Sequence, residues 1–269
     1  MNNSLFLFFV FLFLSLSLFI SQNVVKASIN AELVQKGVLT VCAYDAFEPV
    51  VYGNGLGYES DLLRAVAKKM GLQIRFLPIS RFEGLWLRPV DKNPHCDLAA
   101  GGLSITKSRI LDGAGFTAPH FKILQSLLVR KEDYEKGLKD YANFKEGKNV
   151  IGVVPGSTGK DFAIERAIEA HLNVAKTIKD YPSEVELLLA LQKGEISAIA
   201  RGTPGNFFQA AKNGQWVVTA LRDFGEEFAF AVNPAKKELL RGLNSNIKRI
   251  TQQGKIGLQE WLKNNKVFN

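Results

Sequence analysis

Residues 96–109 read CDLAAGGLSITKSR. The apolar run Leu98 to Ala100 is followed by Gly101 and Gly102, then by Ser104, Thr106 and Arg109. A short buried strand giving way to glycines and hydroxyls reads as a strand end opening into a loop. Glycine lets a backbone approach a ligand closely, because no side chain stands in the way. Arg109 offers a planar fork of donors that matches a carboxylate. In open α/β sheets, ligands sit outside the carboxyl ends of the strands. The stretch therefore combines a shape, a polarity and a charge suited to a small anionic molecule.

Outward from this stretch, strands and helices alternate, which argues for an α/β fold. Val38 to Tyr44 is apolar and strand-like. Tyr58 to Met70 places Leu62, Leu63, Val66 and Met70 on one helical face, and Gly71 follows as a stop. Gln73 to Pro78 alternates as a strand, and Val150 to Val154 is a second short buried strand. Ser183 and Glu186 form a capping box for a helix to Lys193, stopped by Gly194. Ile196 to Ala200 reads as another strand, and the chain ends in helical segments, Ala235 to Gln253 and Ile256 to Asn264.

The 269 residues suffice for one large or two smaller domains. The net charge of +8 is spread along the chain rather than gathered in blocks. No helix-turn-helix, finger or arginine-rich run accompanies it, so no nucleic-acid partner is expected. His95, His120 and His171 have no ligand-like spacing with each other or with the two cysteines, so neither a metal nor another cofactor is expected. The run Gly156 to Asp161 fails as a phosphate loop: Val154 stands where the first glycine belongs, and Asp161 where Ser or Thr must meet magnesium.

Residues 4–20 are almost wholly apolar, and Val25-Lys26-Ala27 offers a small-residue cleavage site before Ser28. This reads as a signal peptide over residues 1–27. An uncleaved N-terminal anchor is the competing reading. No cysteine follows the apolar stretch as a lipid site, so the expected location is the periplasm.

The motifs resemble the extracytoplasmic solute-binding proteins, family 3, of the polar amino acid type. That family carries "D-hydrophobic-x-x-x-G-hydrophobic-T-I-T-x-x-R", matched here by Asp97, Gly102, Leu103, Ser104, Ile105, Thr106 and Arg109. Its "F-S-x-P-Y" is matched by Phe116, Thr117, Ala118, Pro119 and His120. Gly57-Tyr58-Glu59-Ser60-Asp61-Leu62 is similar to its "G-F-D-x-D-L", and Gly156-Ser157-Thr158 to its "G-S-T". The resemblance covers nearly everything after residue 28.

The resemblance implies a two-lobed, type II periplasmic binding protein fold, each lobe a mostly parallel sheet flanked by helices. Lobe 1 would comprise residues 28–120 and 230–269, and lobe 2 residues 125–224. Crossings at 121–124 and 225–229 would form a hinge that closes on ligand. In such a fold Cys42 lies inside the first strand and Cys96 at the start of a parallel neighbour. That offset exceeds disulfide reach, so two free buried thiols are expected.

The resemblance also implies site residues. Arg109 would fork a ligand carboxylate, against a plain reading as a surface arginine paired with Asp112. Ser104 and the amide after Gly102 would bind the same carboxylate, against an ordinary turn cap. Ser157 and Thr158 open a helix whose N-terminus favours anions; simple N-capping is the alternative. Phe47 and Phe82 match positions whose rings pack on ligand, with Trp86 a further wall, although core is the commoner fate for Phe. The family's ammonium-binding aspartates are unmatched. Tyr44 stands at the first position, with Asp45 one residue off, and Gly202 at the second. Glu48, Asp45 or Glu83 would have to substitute, or the ligand lacks an ammonium. Arg201 would add positive charge to the cleft, against a surface role.

Two functions follow from the resemblance. One is the binding of a small carboxylate, as a monomer, for delivery to an inner-membrane ABC transporter permease. The other is a dehydratase similar to the cyclohexadienyl and arogenate enzymes, which needs an acid such as Glu48 or Glu83 in the cleft. A sensor role would need a separate signalling partner.

Overall fold

The structure is a computed structural model that describes residues 26–252. Most of the signal segment and the second C-terminal helical expectation, Ile256 to Asn264, lie outside the described residues. The expected cleavage site before Ser28 falls within the first described helix, α1, residues 26–32.

From α1 the chain builds its first lobe. The elements are β1 (Val38–Tyr44), β2 (Ala46–Phe47), β3 (Val51–Tyr52), α2 (Tyr58–Met70), β4 (Gln73–Ile79), β5 (Leu98–Ala100), α3 (Lys107–Leu111) and β6 (Gly115–Phe116). The second lobe follows as β7 (Phe121–Arg130), α4 (Lys131–Glu135), β8 (Ile151–Val153), α5 (Thr158–Glu169), α6 (Val174–Thr177), β9 (Ile178–Asp180), α7 (Glu184–Lys193), β10 (Ala198–Gly202), α8 (Thr203–Lys212) and β11 (Trp216–Phe228). The chain then returns to the first sheet with β12 (Ala231–Val232) and packs α9 (Lys237–Gln252) against α2.

The first sheet has the order β4-β1-β5-β12-β6 and the second β11-β7-β10-β8-β9. β4, β1 and β5 are parallel, as are β10, β8 and β9. The returning β12 and the long β7 and β11 run antiparallel to their neighbours. Strands covered on both faces become apolar runs, as in Val41 to Tyr44 and Ala198 to Ala200. α2 buries Leu62, Leu63 and Val66, and Gly71 ends it in the left-handed conformation at φ 66°. Ser183 caps α7 by accepting from the Glu186 amide.

The two passages between the lobes are strand rather than loop. The end of β11 pairs with the start of β7 through Glu226↔Ile123, Glu227↔Lys122 and Phe228↔Phe121. A two-stranded ribbon therefore links the sheets. Register shifts interrupt its pairing between Thr219 and Glu226, and such irregularities bend a strand.

Cys42 and Cys96 are disulfide-bonded, with Cα atoms 5.6 Å apart. This corrects the expectation of free thiols. That expectation extended the β1–β5 ladder backwards to Cys96. The ladder begins only at Leu98, paired with Val41, and the chain bends at Asp97. Cys96 is therefore outside the strand offset and within the distance a disulfide spans. Asp97 itself is fully buried, and its carboxylate accepts from the amides of Val34 and Thr40 and from Lys236 Nζ. It ties the segment after α1, β1 and the approach to α9 together under the disulfide.

Candidate functional site

The carboxyl ends of β1, β5 and β10 and the start of α5 face one another across a cleft. Among the described residues its walls include Tyr44, Phe47, Phe82, Gly102, Ser157, Thr158, Glu184 and Arg201. The enclosed space is small, about 30 Å³, room for one or two water molecules. The lobes touch around it. Arg109 Nη2 donates to the Gly156 carbonyl at 2.9 Å, and Ser104 Oγ lies 3.4 Å from Thr158 Oγ1. The Glu184 amide donates to Tyr44 Oη at 3.2 Å. At the rim, Glu48 accepts from Gln209 Nε2 at 2.9 Å and Lys212 Nζ at 3.1 Å.

The Gly101–Gly102 turn is dictated by its neighbours. A Cβ on Gly101 would lie 2.6 Å from Tyr44 Cβ, and one on Gly102 2.5 Å from the Phe47 ring. Both residues have positive φ, which glycine adopts without strain. The turn aims both amides at Glu59, whose carboxyl accepts from Gly101 N at 2.8 Å and from Gly102 N at 3.2 Å. Glu59 is wholly buried, and burial pushes its carboxyl up to about 8 against those two amide bonds. His120 Nε2 lies 3.2 Å away, and burial pushes that imidazole down to about 3.

Ser104 and Arg109 stand beside the cavity rather than on its wall. Arg109 is only 3% exposed, so it is no surface arginine. Its guanidinium lies over the rings of Trp86, at 4.8 Å, and Phe82, at 5.5 Å. Nη1 donates to the Ser104 carbonyl at 2.7 Å. Burial pushes its pKa down to about 10, opposed by the negative charges of Glu226, Asp161 and Asp112. Asp112 accepts instead from the Trp86 indole at 3.1 Å. Thr106 caps α3 by accepting from the Arg109 amide, which fixes where the arginine leaves the backbone.

Ser157 is the N-cap of α5 and accepts from the Lys160 amide. Thr158 is left with its hydroxyl toward the cleft. Phe47 packs edge-on against Phe228 and beneath Arg201, and Phe82 against Tyr44. These rings are both cleft wall and core.

Arg201 lines the cleft, but its charge is not free. It pairs through Nη1 with Glu184, donates from Nε to Asn206 Oδ1 at 2.7 Å and from Nη2 to the Gly205 carbonyl at 3.1 Å. The added positive charge expected of Arg201 is half of a buried ion pair. Burial and then the Glu184 charge raise the Tyr44 phenol far above its ordinary range. Neither Glu48, held at the rim, nor the exposed Glu83 is on the cavity wall.

Two carboxylates escaped sequence reasoning. Glu184 carries no motif; it opens α7 beside the capping Ser183. Glu226 lies in the second passage between the lobes. Ser104 Oγ and Thr158 Oγ1 both donate to its Oε1, and Gln125 Nε2 donates to Oε2 at 2.7 Å. Only the ribbon pairing, invisible in one sequence, brings it there.

Comparison with known proteins agrees with this architecture. A probable histidine-binding protein of Campylobacter jejuni is 30% identical over 207 residues, covering 74% of this chain and 72% of that protein. An L-arginine-bound amino acid ABC transporter substrate-binding protein from Streptococcus pneumoniae superposes with a TM-score of 0.75 at 22% identity, covering 88% of this chain and 96% of that one. An ancestral amino acid-binding protein, a precursor of cyclohexadienyl dehydratase, superposes with a TM-score of 0.69 at 23% identity, covering 85% and 95% of the two chains. Among the described residues no helix is long and apolar enough to cross a membrane. Residues 39–264 match the bacterial extracellular solute-binding proteins, family 3, and the chain belongs to that family.

Proposed function

We propose that this protein binds a small carboxylate-bearing solute, an amino acid or related organic acid, in the cleft between its lobes. Closed around the solute, a monomer would present it to the permease of an ABC transporter in the periplasm. One observation carries this reading. Hydroxyls from opposite sides of the cleft, Ser104 and Thr158, converge on a single carboxylate beside Arg109. That carboxylate is the protein's own Glu226, so this cluster of donors is already arranged for such a group.

The closed cavity is far too small for an amino acid, so entry requires the lobes to part. We take residues 28–120 and 230–269 as one moving body and 125–224 as the other. The crossings at 121–124 and 225–229 flex between them. The relatives named for histidine and arginine make those two amino acids the first solutes to test. Among the described residues the carboxylate on the cavity wall, Glu184, is held by Arg201 in an ion pair rather than poised to protonate a leaving group, which supports binding over a dehydratase. We take residues 1–27 as a cleaved signal, which places the mature start near Ser28; N-terminal sequencing of the exported protein checks this.

The test is native mass spectrometry of the purified protein, followed by calorimetric titration with L-histidine, L-arginine and succinate. A co-purifying carboxylate, or saturable heat with one of the three, supports the reading. No adduct and no heat would sink it, and turnover of prephenate or arogenate would replace it with the enzyme.

A further inference from the structure

Glu226 occupies the place where the site's donors converge. Both hydroxyls spend their only proton on one of its oxygens, and the Gln125 amide satisfies the other. The donors come from three parts of the fold: the loop after β5, the first residue of α5 and the middle of β7. Ser104 is anchored on the first-lobe side, Thr158 and Gln125 in the second lobe. One carboxylate thus links the two lobes. It is also mechanically placed to do so. The end of β11 is pinned to the Ser104 loop by Ile105 N donating to the Glu227 carbonyl at 3.0 Å and Ala229 N to the Leu103 carbonyl at 2.9 Å. The side chain of Glu226 then leans from this pinned strand toward the start of α5.

We infer that Glu226 is an internal ligand of the cleft's anion subsite: it holds the lobes together without solute, and a solute carboxylate must displace it to bind. The latch rests on the hydrogen bonds alone. The competition rests in addition on the carboxylate-binding function proposed above. An internal carboxylate lowers the apparent affinity for an external one, because part of the population is already satisfied. It also selects for solutes whose further contacts, with the aromatic walls or with Glu184, outweigh the exchange of one carboxylate for another.

The latch is tested without any solute. Spin labels on cysteines introduced at the exposed Lys68 in α2 and Gln192 in α7 report the distance between the lobes. The ligand-free parent should show one short distance. Glu226→Ala should shift the distribution to longer distances, Glu226→Gln less so, because its amide oxygen still accepts from the hydroxyls. Circular dichroism confirms that each variant is folded, and Gln serves if Ala is not. Acetate at high millimolar concentration should then reclose Glu226→Ala and leave the parent unchanged. Identical distributions in parent and variants overturn the latch. Opening that acetate does not reverse makes Glu226 a hinge residue only, and overturns its role as an internal carboxylate.

Titration with L-arginine and L-histidine tests the competition separately. Glu226→Ala should bind about tenfold or more tightly than the parent. Weaker binding would make Glu226 a counter-charge for the solute and overturn the inference. If neither amino acid binds either protein while the labels still report opening and acetate rescue, the latch stands and the proposed solute class fails.

Discussion

Arg109 and Gly156 meet across the cleft, the guanidinium donating from Nη2 to the glycine carbonyl at 2.9 Å. The same fork is held from its own side by the Ser104 carbonyl at 2.7 Å. Gly156 sits in the turn before α5 with φ 73°, and a Cβ there would lie 3.0 Å from Glu83 Cα. Glycine therefore lets this turn press against the Glu83 segment while its carbonyl faces Arg109. Two donors of the guanidinium go to backbone carbonyls, and its faces go to Trp86 and Phe82, so the group is oriented before any solute arrives.

That preorganisation sets the cost of losing it. Truncating one partner of a buried charge pair costs about 2–5 kcal/mol, a loss of roughly 30-fold to several thousandfold in affinity. Arg109→Ala should lower solute affinity in that range. Arg109→Lys should recover little, because an ammonium cannot span both carbonyls or stack between two rings. Titration of the folded variants with L-arginine or L-histidine checks both. An Arg109→Ala protein that binds like the parent removes the carboxylate anchor from the proposed function.

The Cys42–Cys96 bridge closes a loop across 54 residues. A cross-link of that span restricts the unfolded chain and is worth about 2–4 kcal/mol. The double variant Cys42→Ala/Cys96→Ala should unfold at a distinctly lower urea concentration than the oxidised parent. Adding reductant should lower the parent's midpoint toward it and leave the double variant unmoved. Equal midpoints for oxidised parent and variant would exclude the bridge as a source of stability.

The regular elements were legible in the sequence because each obeys a local rule. β1 and α2 carry the periodicity and stop signals that predict their boundaries, and the structure returns Val38–Tyr44 and Tyr58–Met70. The glycine turn after β5 and the capping role of Ser157 were legible for the same reason. What was missed depends on non-local pairing. The disulfide needed the bend at Asp97, which ends the strand geometry assumed for Cys96. Glu226 needed the pairing of β11 with β7. Arg201 was legible as a cleft residue, but its neutralisation by Glu184 was not, since the pair joins β10 to the start of α7.

That pair makes its own prediction. Both side chains are buried, with 6% and 7% exposure, so each charge depends on the other. Removing one partner of such a pair costs about 3–5 kcal/mol, whereas an apolar replacement of both costs far less. Arg201→Met and Glu184→Leu should each destabilise strongly, and the double variant should destabilise by less than either alone. Urea unfolding of the four proteins gives the coupling. Additive losses would mean that the pair contributes no mutual stabilisation.

Glu59 and His120 give the protein a pH response with two opposite arms. The folded imidazole stays neutral down to about 3, while the unfolded one takes a proton near 6.5. Its folded pKa is depressed, so its contribution is present above pH 6.5 and is lost as pH falls toward 3. The folded carboxyl keeps its proton up to about 8, while the unfolded one loses it near 4.5. Its folded pKa is raised, so its contribution is present below pH 4.5 and is lost as pH rises toward 8. Each arm has a slope of about 1.4 kcal/mol per pH unit. Between pH 4.5 and 6.5 the slopes oppose and cancel, which predicts a plateau with losses on either side. Single variants should uncover the separate arms. Relative to the parent, His120→Gln should gain stability as pH falls from 6.5 to 4.5. Glu59→Gln should lose it over the same window. Urea midpoints at pH 4.5, 5.5 and 6.5 measure the difference, and comparison with the parent cancels the titrating groups that do not touch this pair. If both variants track the parent through that window, the two buried groups do not titrate as their burial dictates.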